Sequence, residues 1–405
     1  MAVAIRRHAK AREIAWQKDG HMNNIEASAS RGSSLLKSVS RRWVARSVLI
    51  SLLSWLGGPT SAAAQSLSKE RRDLRVMTYN VNEGTDFLQI QAATDVNSFL
   101  VAVGQTITQV RETNPPARMR AIAKQIIDAD PTLVSLEEVD EWYTAPFSPN
   151  TGACGTPTLE FGMLQELQDA LSAQGAHYTV AEEAQQYAFP PTPGFIPPST
   201  YLCVAVVNHV AILARTDLDP DRFQWSNPQS AQYAAVLQFP SPIGLLPLPR
   251  AWVSVDATFD HKEFRYIGTH LESVVPVIRE AQGAELRAGP ANTSLPVILA
   301  MDSNSQAAPL PEDPTYMDFI AAGYSDGWAE IFPFLPGLTC CQDELDNNPL
   351  SQLYQRIDLI LTLGKVKVRS IALFGAEPKE RIIGGLWPSD HAGVAAHVMF
   401  EREWE

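Results

Sequence analysis

The sequence has little of what marks several common kinds of protein. Positive charge is scarce, because 32 Lys and Arg stand against 45 Asp and Glu and give a formal net charge of −13. So acidic a surface is not typical of a protein that binds long polyanions by releasing their counterions, although a bound cation can reverse the local field. The four cysteines show no Cys-x-x-Cys or Cys/His spacing of a zinc site. No repeat of about 20 to 50 residues indicates a solenoid.

The strongly apolar run near the N-terminus, at 48–56, is too short to span a bilayer. A basic stretch precedes this run, and small residues up to Ala64 follow it. A basic region, a short apolar run and an A-x-A site together predict a secretory signal. We therefore expect 1–64 to be an export signal and basic leader that is cleaved, and 65–405 to form a single catalytic domain.

The basic leader contains Arg41 and Arg42 in a setting that resembles the bacterial twin-arginine export motif. The sequence leaves the twin-arginine and general secretory routes both open, and Met22 offers an alternative start with a shorter leader. We expect the protein to be exported from a bacterial cytoplasm and to be periplasmic or secreted.

The sequence as a whole has the composition of a globular protein with a sizeable core, since 45% of it is hydrophobic and nine residues are Trp. Without the leader, 22 Lys and Arg face 42 Asp and Glu, a formal net charge of −20. Cysteines fit the oxidising compartment of an exported protein. Cys154, Cys203, Cys340 and Cys341 allow three pairings, and the adjacent Cys340 and Cys341 are also compatible with free thiols.

Hydrophobic periodicity predicts alternating strands and helices. Pro116–Ile127 has apolar residues at helical spacing, and a strand at 132–139 follows it. A strand, a helix and a strand in this order favour a parallel pair with a crossover helix. Two more helices are predicted at 161–173 and 274–286. Further strands are predicted at 201–214, 232–239, 250–259, 264–270, 296–301, 356–362 and 392–400. Parallel pairs mixed with short antiparallel connections indicate layered sheets with outer helices.

Two unusual segments lie between the predicted strands. Residues 189–198 are rich in Pro and predict a surface loop. The loop at 240–249 is strongly apolar and, if exposed, could touch lipid or a protein partner. We favour the alternative that this loop folds back over the core.

Six short apolar runs each meet a carboxylate, amide or imidazole at one end. The polar residues are Asn80, Glu138, His270, Asp302, Asn304, Asp358, Asp390 and His391. Each has an ordinary explanation by itself, such as a turn, a cap or an ion pair. Together, they predict one edge of a sheet that collects oxygen ligands and two histidines. Oxygen ligands suit Mg²⁺, Mn²⁺ or Ca²⁺, and neighbouring histidines suit proton transfer, a combination fit for hydrolysing a phosphate ester.

The order and context of these runs resemble the motifs of the endonuclease/exonuclease/phosphatase superfamily, which includes DNase I-like nucleases, inositol polyphosphate phosphatases and neutral sphingomyelinases. The matching segments are Thr78–Asn82, Leu136–Val139, Gly268–Glu272, Met301–Asn304, Arg356–Ile360 and Ser389–His391. They extend over almost the whole chain after the leader. The resemblance implies an α/β fold of four layers, in which two packed mixed β-sheets are flanked by helices, as in DNase I.

The resemblance also implies roles for the polar residues. Asn80, Glu138 and Asp390 are expected to hold a divalent metal ion, Mg²⁺ with Mn²⁺ or Ca²⁺ as alternatives. Asp302 is expected to orient and deprotonate the attacking water, and Asn304 to bind the phosphate or that water. His391 is expected to bind a phosphoryl oxygen. His270, paired with Asp358, is expected to stabilise or protonate the leaving oxygen.

Three residues depart from the usual motifs of the superfamily. Glu137 replaces a frequent Gln, and it is compatible with stronger metal binding or with a solvent-facing side chain. Met301 replaces a Gly before Asp302. His209 stands where relatives tend to have Gly, and it is compatible with a pocket position or with a structural role.

We therefore expect a metal-dependent phosphoesterase that cleaves a phosphodiester or a phosphomonoester by metal-assisted in-line attack of water. The substrate, whether nucleic acid, a lipid headgroup or a small phosphate, is left open by the sequence. An extracellular nuclease and a sphingomyelinase-like lipid phosphodiesterase are the alternatives, and an inactive binding protein of the same fold is a third. We expect a monomer without a stable membrane span.

Overall fold

Strands with every residue buried form the centre of the protein. In the computed structural model, which describes residues 73–401, each residue of Leu133–Glu137 and of Val297–Asp302 is buried. A strand that is buried on both faces requires another layer on each side. The expected leader at 1–64 lies outside the described residues, so the expected division into 1–64 and 65–405 stays a prediction.

The strands are numbered along the chain. They are β1 Leu74–Asn80, β2 Leu133–Glu137, β3 Glu141–Ser148, β4 Ala153–Cys154, β5 Thr158–Gly162, β6 Tyr178–Ile196, β7 Thr200–Arg215, β8 Phe223–Gln232, β9 Leu237–Ser241, β10 Gly244–Leu248, β11 Ala251–Phe259, β12 Lys262–His270, β13 Val297–Asp302, β14 Ser325–Asp326, β15 Asp358–Leu363, β16 Val366–Phe374 and β17 Gly393–Phe400. The larger sheet has the order β16-β17-β1-β2-β7-β3-β4, with β5 beside β3 and β6 beside β7. The second sheet has the order β14-β15-β13-β12-β11-β8, and β9 and β10 form a separate hairpin.

The helices are α1 Leu88–Ala92, α2 Val96–Glu112, α3 Pro115–Ala129, α4 Met163–Ala173, α5 Pro276–Ala288, α6 Pro314–Ala321 and α7 Gly327–Ile331, with a short 3₁₀ turn at Pro378–Glu380. Local sequence explains where several begin. The Asp95 side chain accepts from the backbone N–H groups of Asn97 and Ser98 and caps α2, while Pro at the first turn begins α3, α5 and α6.

Three apolar cores separate the layers. The first packs α2, α3 and α4 against the larger sheet, for example Ile107, Met119 and Leu167 against Leu136. The second lies between the two sheets, and the third packs α5 and α6 against the outer face of the second sheet. The layers therefore follow the order helices, sheet, sheet, helices, which confirms the expected four-layer α/β sandwich.

Parallel and antiparallel pairing brings the ends of five strands, two in the larger sheet and three in the second sheet, to one side of the sandwich. The parallel pairs β1–β2 and β12–β13 align Asn80 with Glu137 and His270 with Asp302. The antiparallel pair β13–β15 aligns Asp302 with Asp358. Because carboxyl ends of parallel strands meet at the same edge of a sheet, the polar residues of the predicted site lie together.

The predicted helices at 116–127, 161–173 and 274–286 correspond to α3, α4 and α5, and 86–115 contains α1 and α2. Two predictions are wrong. Residues 189–196 belong to the long strand β6, which tolerates its prolines because it pairs only with β7 and has bulges there. The predicted strand at 232–239 is interrupted, since β8 ends at Gln232 and β9 begins at Leu237.

The apolar segment at 240–249 is largely a hairpin made by β9 and β10. The prediction that it folds back over the core is only partly right. Ile243 and Leu245 are exposed by 53% and 66%, although Leu248 contacts the first core.

The four cysteines form the pairs Cys154–Cys203 and Cys340–Cys341. Among residues 73–401, no helix is long and apolar enough to cross a membrane.

Candidate active site

Two residues of the site stand one and two residues after the end of a strand, and both have a left-handed backbone conformation. Glu138 follows β2 with φ 59°, and Asn304 follows β13 with φ 48°. This conformation is unfavourable for a residue with a side chain, by about 1–3 kcal/mol. The cost is consistent with a fold that turns both side chains away from the regular strand direction and into the site.

Asn80 links the two carboxylates at the centre of the site. Its amide Nδ2 donates to Glu138 Oε1 at 2.9 Å and to Asp302 Oδ2 at 3.0 Å. Its Oδ1 accepts from the backbone N–H of Asn82, which fixes the orientation of the amide. An N–H group directed at the carboxylates cannot ligate a cation, so the structure places Asn80 as a residue that positions Glu138 and Asp302. Its expected role as a metal ligand stays a prediction.

The second acceptor oxygen of each carboxylate is also held. Glu138 Oε2 accepts from the backbone N–H of Glu83 at 2.9 Å, and Asp302 Oδ1 accepts from that of Asn304 at 2.9 Å. Burial and the nearby Asp390 carboxylate raise the pKa of Glu138. Crowded buried carboxylates are destabilised by their like charge, which a bound cation would relieve.

His391 reaches this edge from the larger sheet and pairs with a carboxylate of the second sheet. Its Nδ1 donates to Asp358 Oδ2 at 2.9 Å, and both side chains are buried. Its other nitrogen, Nε2, lies 4.0 Å from Asp302 Oδ2 and 4.0 Å from Asp390 Oδ2. Burial opposes a charged imidazole here, but the Asp358 and Asp390 carboxylates outweigh it and raise the pKa of His391 well above its usual value.

The expected pairing of His270 with Asp358 is wrong. Asp302 stands in register with His270 on one side and with Asp358 on the other, so the β13 strand separates the two residues. Neighbouring strands are about 4.8 Å apart, and a residue two strands away is out of reach of a direct hydrogen bond. Asp358 therefore pairs with His391.

His270 has a cation as its neighbour. Arg250 Nη1 lies 3.1 Å from His270 Nδ1, while His270 Nε2 lies 3.3 Å from Asp302 Oδ2 and 3.8 Å from Glu138 Oε1. Asn304 Nδ2 lies 2.9 Å from the same Nε2 and donates to the Leu271 carbonyl at 3.0 Å. Burial, the Arg250 charge and the His391 imidazole hold the pKa of His270 well below its usual value.

The structure thus brings all eight predicted residues to one site. Glu138, His270 and Asp302 each offer a ligand atom, and these atoms lie within 4.8 Å of one another. The same is true of Asp302, Asp358 and His391. Carboxylate oxygens dominate both sets, and they are the ligands that hard divalent cations prefer. The residues present therefore fit Mg²⁺ or a similar ion.

The two residues with open interpretations also have defined positions. Glu137 is fully buried rather than facing solvent, and it accepts hydrogen bonds from Ser135 and Thr78 at 2.6 and 3.0 Å. Its pKa lies well above the usual value because of burial. His209 lies 3.7 Å from Glu183 across the edge strand β6, and its side chain is 13% exposed.

A buried polar cluster beside the site contains residues that the sequence did not single out. Tyr187 donates a short hydrogen bond to Glu83, and Asn208 donates to Glu83 and to Asp140 at 3.2 and 2.6 Å. Burial and the Glu138 carboxylate raise the pKa of Glu83 to about 8. Arg250 lies between this cluster and His270. None of these residues stands at a strand end with a recognisable spacing, so no local signal marked them.

No protein-family model matches this sequence, and no curated protein matches it. Several solved structures match this chain. An endonuclease/exonuclease/phosphatase family protein of Bacteroides thetaiotaomicron is 16% identical, with 82% of this chain and 98% of that chain covered and a TM-score of 0.49. A mannosyl-6-phosphatase of the same organism is 16% identical, with 81% and 100% covered and a TM-score of 0.47. The human Nocturnin catalytic domain is 16% identical, with 82% and 95% covered and a TM-score of 0.45. The solved structures to which this chain is similar thus include proteins of the superfamily that its motifs resemble.

Proposed function

We propose that the protein is a divalent-metal-dependent phosphoesterase that hydrolyses a phosphodiester or phosphomonoester by in-line attack of water. The observation that carries the proposal is the convergence on Asp302. Its Oδ2 accepts from Asn80 and lies 3.3 Å from His270 Nε2 and 4.0 Å from His391 Nε2. One carboxylate therefore faces two imidazoles and a second carboxylate, Glu138, in a buried site. These groups can supply the base and the hydrogen-bond donors for hydrolysis of a phosphate ester.

Glu138 and Asp390 are the residues that would hold Mg²⁺, with Mn²⁺ or Ca²⁺ as alternatives. When bound, the ion would polarise a phosphoryl oxygen and offset the charge that develops in the transition state. Asn80 keeps Glu138 and Asp302 at a fixed separation by donating to both.

Asp302 would take the proton of the attacking water. Both of its oxygens are fixed by hydrogen bonds to Asn80 and to the backbone of Asn304, so the carboxylate is oriented before substrate binds. Preorganised acceptors of this kind avoid reorganisation during the reaction. Asn304 would help to bind the phosphate or to hold the water.

The two histidines would act differently. His391 is kept charged by Asp358 and would donate a hydrogen bond from Nε2 to a phosphoryl oxygen. His270 is kept neutral by burial and by Arg250, so it would stabilise the leaving oxygen as a neutral donor from Nε2. This assignment replaces protonation of the leaving oxygen by a His270–Asp358 pair.

Two properties of the protein bear on which phosphate ester it cleaves: its net negative charge and the exposed apolar side chains of the β9–β10 hairpin. The acidic chain does not favour a nuclease that tracks several phosphates, whereas the exposed apolar tip of the β9–β10 hairpin favours a lipid headgroup diester as one candidate. A small phosphate needs neither feature. A nuclease and a sphingomyelinase-like lipid phosphodiesterase remain the alternatives, and an inactive binding protein of this fold is the least favoured.

We also propose that the protein is exported from a bacterial cytoplasm and is periplasmic or secreted. The signal-like leader at 1–64 and the Cys154–Cys203 disulfide support this location, because disulfides persist in oxidising compartments. We propose that the exported form is a monomer.

The test is an assay on bis-p-nitrophenyl phosphate and p-nitrophenyl phosphate with Mg²⁺, Mn²⁺ or Ca²⁺, each with and without a chelator. We expect hydrolysis that the chelator abolishes and added Mg²⁺ restores. A panel of DNA, RNA, sphingomyelin, inositol phosphates and nucleotides then identifies the substrate. A folded protein that hydrolyses none of these with any of the three ions would refute the proposal.

A further inference from the structure

The vicinal pair Cys340–Cys341 lies directly against the candidate catalytic residue His391. Cys340 stands in antiparallel register with His391 on one side and with Gln355 on the other. Cys340 and His391 are buried, and Cys341 is half-buried. The ligand atoms of the two cysteines and His391 all lie within 4.8 Å of one another.

Backbone hydrogen bonds fix this arrangement without help from the disulfide. Ala392 N donates to the Thr339 carbonyl at 2.7 Å, and Gln342 N donates to the Asp390 carbonyl at 2.9 Å. On the other side, Gln355 N donates to the Cys340 carbonyl at 2.7 Å. The segment therefore stays beside His391 when the S–S bond is opened.

We propose that reduction of Cys340–Cys341 creates a soft-metal site made of the two thiolates and His391 Nε2, which takes Zn²⁺ or a similar ion. The Nδ1 atom of His391 is engaged by Asp358 at 2.9 Å, so Nε2 is the nitrogen left for a ligand. Two thiolates and one imidazole form a three-ligand set for tetrahedral Zn²⁺, with water in the fourth place.

The chemistry balances with a dithiol as the reductant. The dithiol gives two electrons and two protons to the S–S bond, the bond breaks to two thiols, and the dithiol closes to its own disulfide. Binding of Zn²⁺ then releases the two thiol protons and the Nε2 proton of the charged His391 imidazole. The oxidised pair offers no thiolate, so the site exists only in the reduced protein.

The consequence for activity depends on the proposed function. Zn²⁺ on His391 Nε2 would occupy the atom that is to donate to the phosphoryl oxygen. Phosphoester hydrolysis would therefore stop when the protein is reduced and soft metal is present, and it would continue with Mg²⁺ alone. We expect no such effect from the Cys154–Cys203 pair, because Cys203 lies seven residues before Val210, the β7 residue that pairs with Glu137 beside the site.

The experiment uses the full chain, either oxidised or treated with dithiothreitol and desalted without oxygen. Co²⁺ is added as a spectroscopic probe, because thiolate ligands give it a charge-transfer band in the near ultraviolet. We expect about one Co²⁺ with this band in the reduced protein only. We expect no band in the double variant Cys340→Ser/Cys341→Ser. We also expect none in the single variant Cys341→Ser, which keeps the test valid if the buried Cys340 position does not tolerate change. We expect weaker binding in His391→Ala.

Activity with Mg²⁺ is measured on the same samples. We expect Zn²⁺ to lower the rate of the reduced wild type at least ten-fold, a chelator followed by Mg²⁺ to restore it, and the Cys341→Ser variant to keep its rate. Absence of the band in the reduced wild type, or its persistence in the serine variants, would overturn the metal site. A band without inhibition would overturn its link to His391. A protein that hydrolyses no phosphate ester when oxidised but gives the band once reduced would count against the proposed function and not against the site.

Discussion

The Arg250 guanidinium lies against the His270 imidazole, with Nη1 3.1 Å from Nδ1. A guanidinium only donates hydrogen bonds, so Nδ1 is the acceptor in this contact, while Nε2 faces Asp302. Burial and this cation hold the pKa of His270 well below its usual value. A carboxylate in the same place would raise that pKa, so His270 and His391 are held in opposite charge states by their partners.

Arg250→Gln tests the neutral state of His270. If catalysis needs neutral His270, activity falls as the pH drops through its pKa, and removing the cation raises that pKa. We expect the acid limb of kcat/KM against pH to move to higher pH, and kcat to fall by about 10- to 100-fold, the usual loss for a partner that orients a site residue. Arg250→Lys should restore part of the rate.

Arg222→Gln is the matched control for this variant, because Arg222 pairs with Asp260 at a hairpin away from the site. Its pH profile should match that of the wild type. If His270 worked instead as an imidazolium acid, its pKa would set the alkaline limb, and Arg250→Gln would move that limb to higher pH.

Glu138→Gln tests the metal carboxylate. The substitution keeps the size of the side chain but removes the charge that would hold a divalent ion. We expect the Mg²⁺ concentration for half-maximal rate to rise by about ten-fold or more. Glu137→Gln is the neighbouring control, because Glu137 accepts from Ser135 and Thr78 and has a raised pKa. Equal Mg²⁺ requirements in the two variants would contradict the assignment of Glu138.

His391→Ala should lower kcat by about 10²- to 10⁴-fold without unfolding the protein, since a positioned proton donor contributes this much. His261→Ala is the control, because His261 lies in an exposed turn. Circular dichroism of both variants checks the fold. A normal rate in a folded His391→Ala protein would contradict the assignment of the active site.

Asp358→Asn tests the charge on His391. The carboxylate raises the pKa of His391, so a rate that needs the imidazolium persists as the pH increases and is lost above that raised pKa. Removing the carboxylate lowers the pKa. The alkaline limb of the pH–rate profile should therefore move to lower pH, and a profile that is unchanged would contradict the pairing.

The sequence was sufficient to predict the layers and the membership of the site. Helical spacing in 116–127 predicted α3, and polar residues at the ends of β1, β12 and β13 predicted the site edge, because both signals are local. The prolines of 189–196 misled the prediction, since their tolerance depends on β6 being at an edge of the sheet.

The partners inside the site could not be predicted from local patterns. Asp358 could pair with His270 or His391, and the choice is set by β13 lying between His270 and Asp358 in the second sheet. Arg250 stands directly before β11 and reaches His270 at the end of β12, and nothing in its neighbours along the chain marks that contact. The strand register and the packing between the two sheets determine both the partner of Asp358 and the contact between Arg250 and His270.

Arg118 holds the loop that carries the site in place, and its loss should destabilise the protein. The guanidinium is fully buried, donates to the carbonyls of Val81 and Asn82 at 2.6 and 2.9 Å, and lies 3.7 Å from the buried Asp346 carboxylate. Arg118→Met leaves Asp346 without its cation, which costs about 3–5 kcal/mol for a buried pair. Urea unfolding should show a loss of this size, against a change within about 0.5 kcal/mol for the exposed Arg120→Met on the same helix. Adding Asp346→Asn to Arg118→Met should recover part of the loss, because no buried charge is then left unpaired. A loss below about 1 kcal/mol in the single variant would show that Asp346 is neutral in the folded protein and that the ion pair does not stabilise the loop.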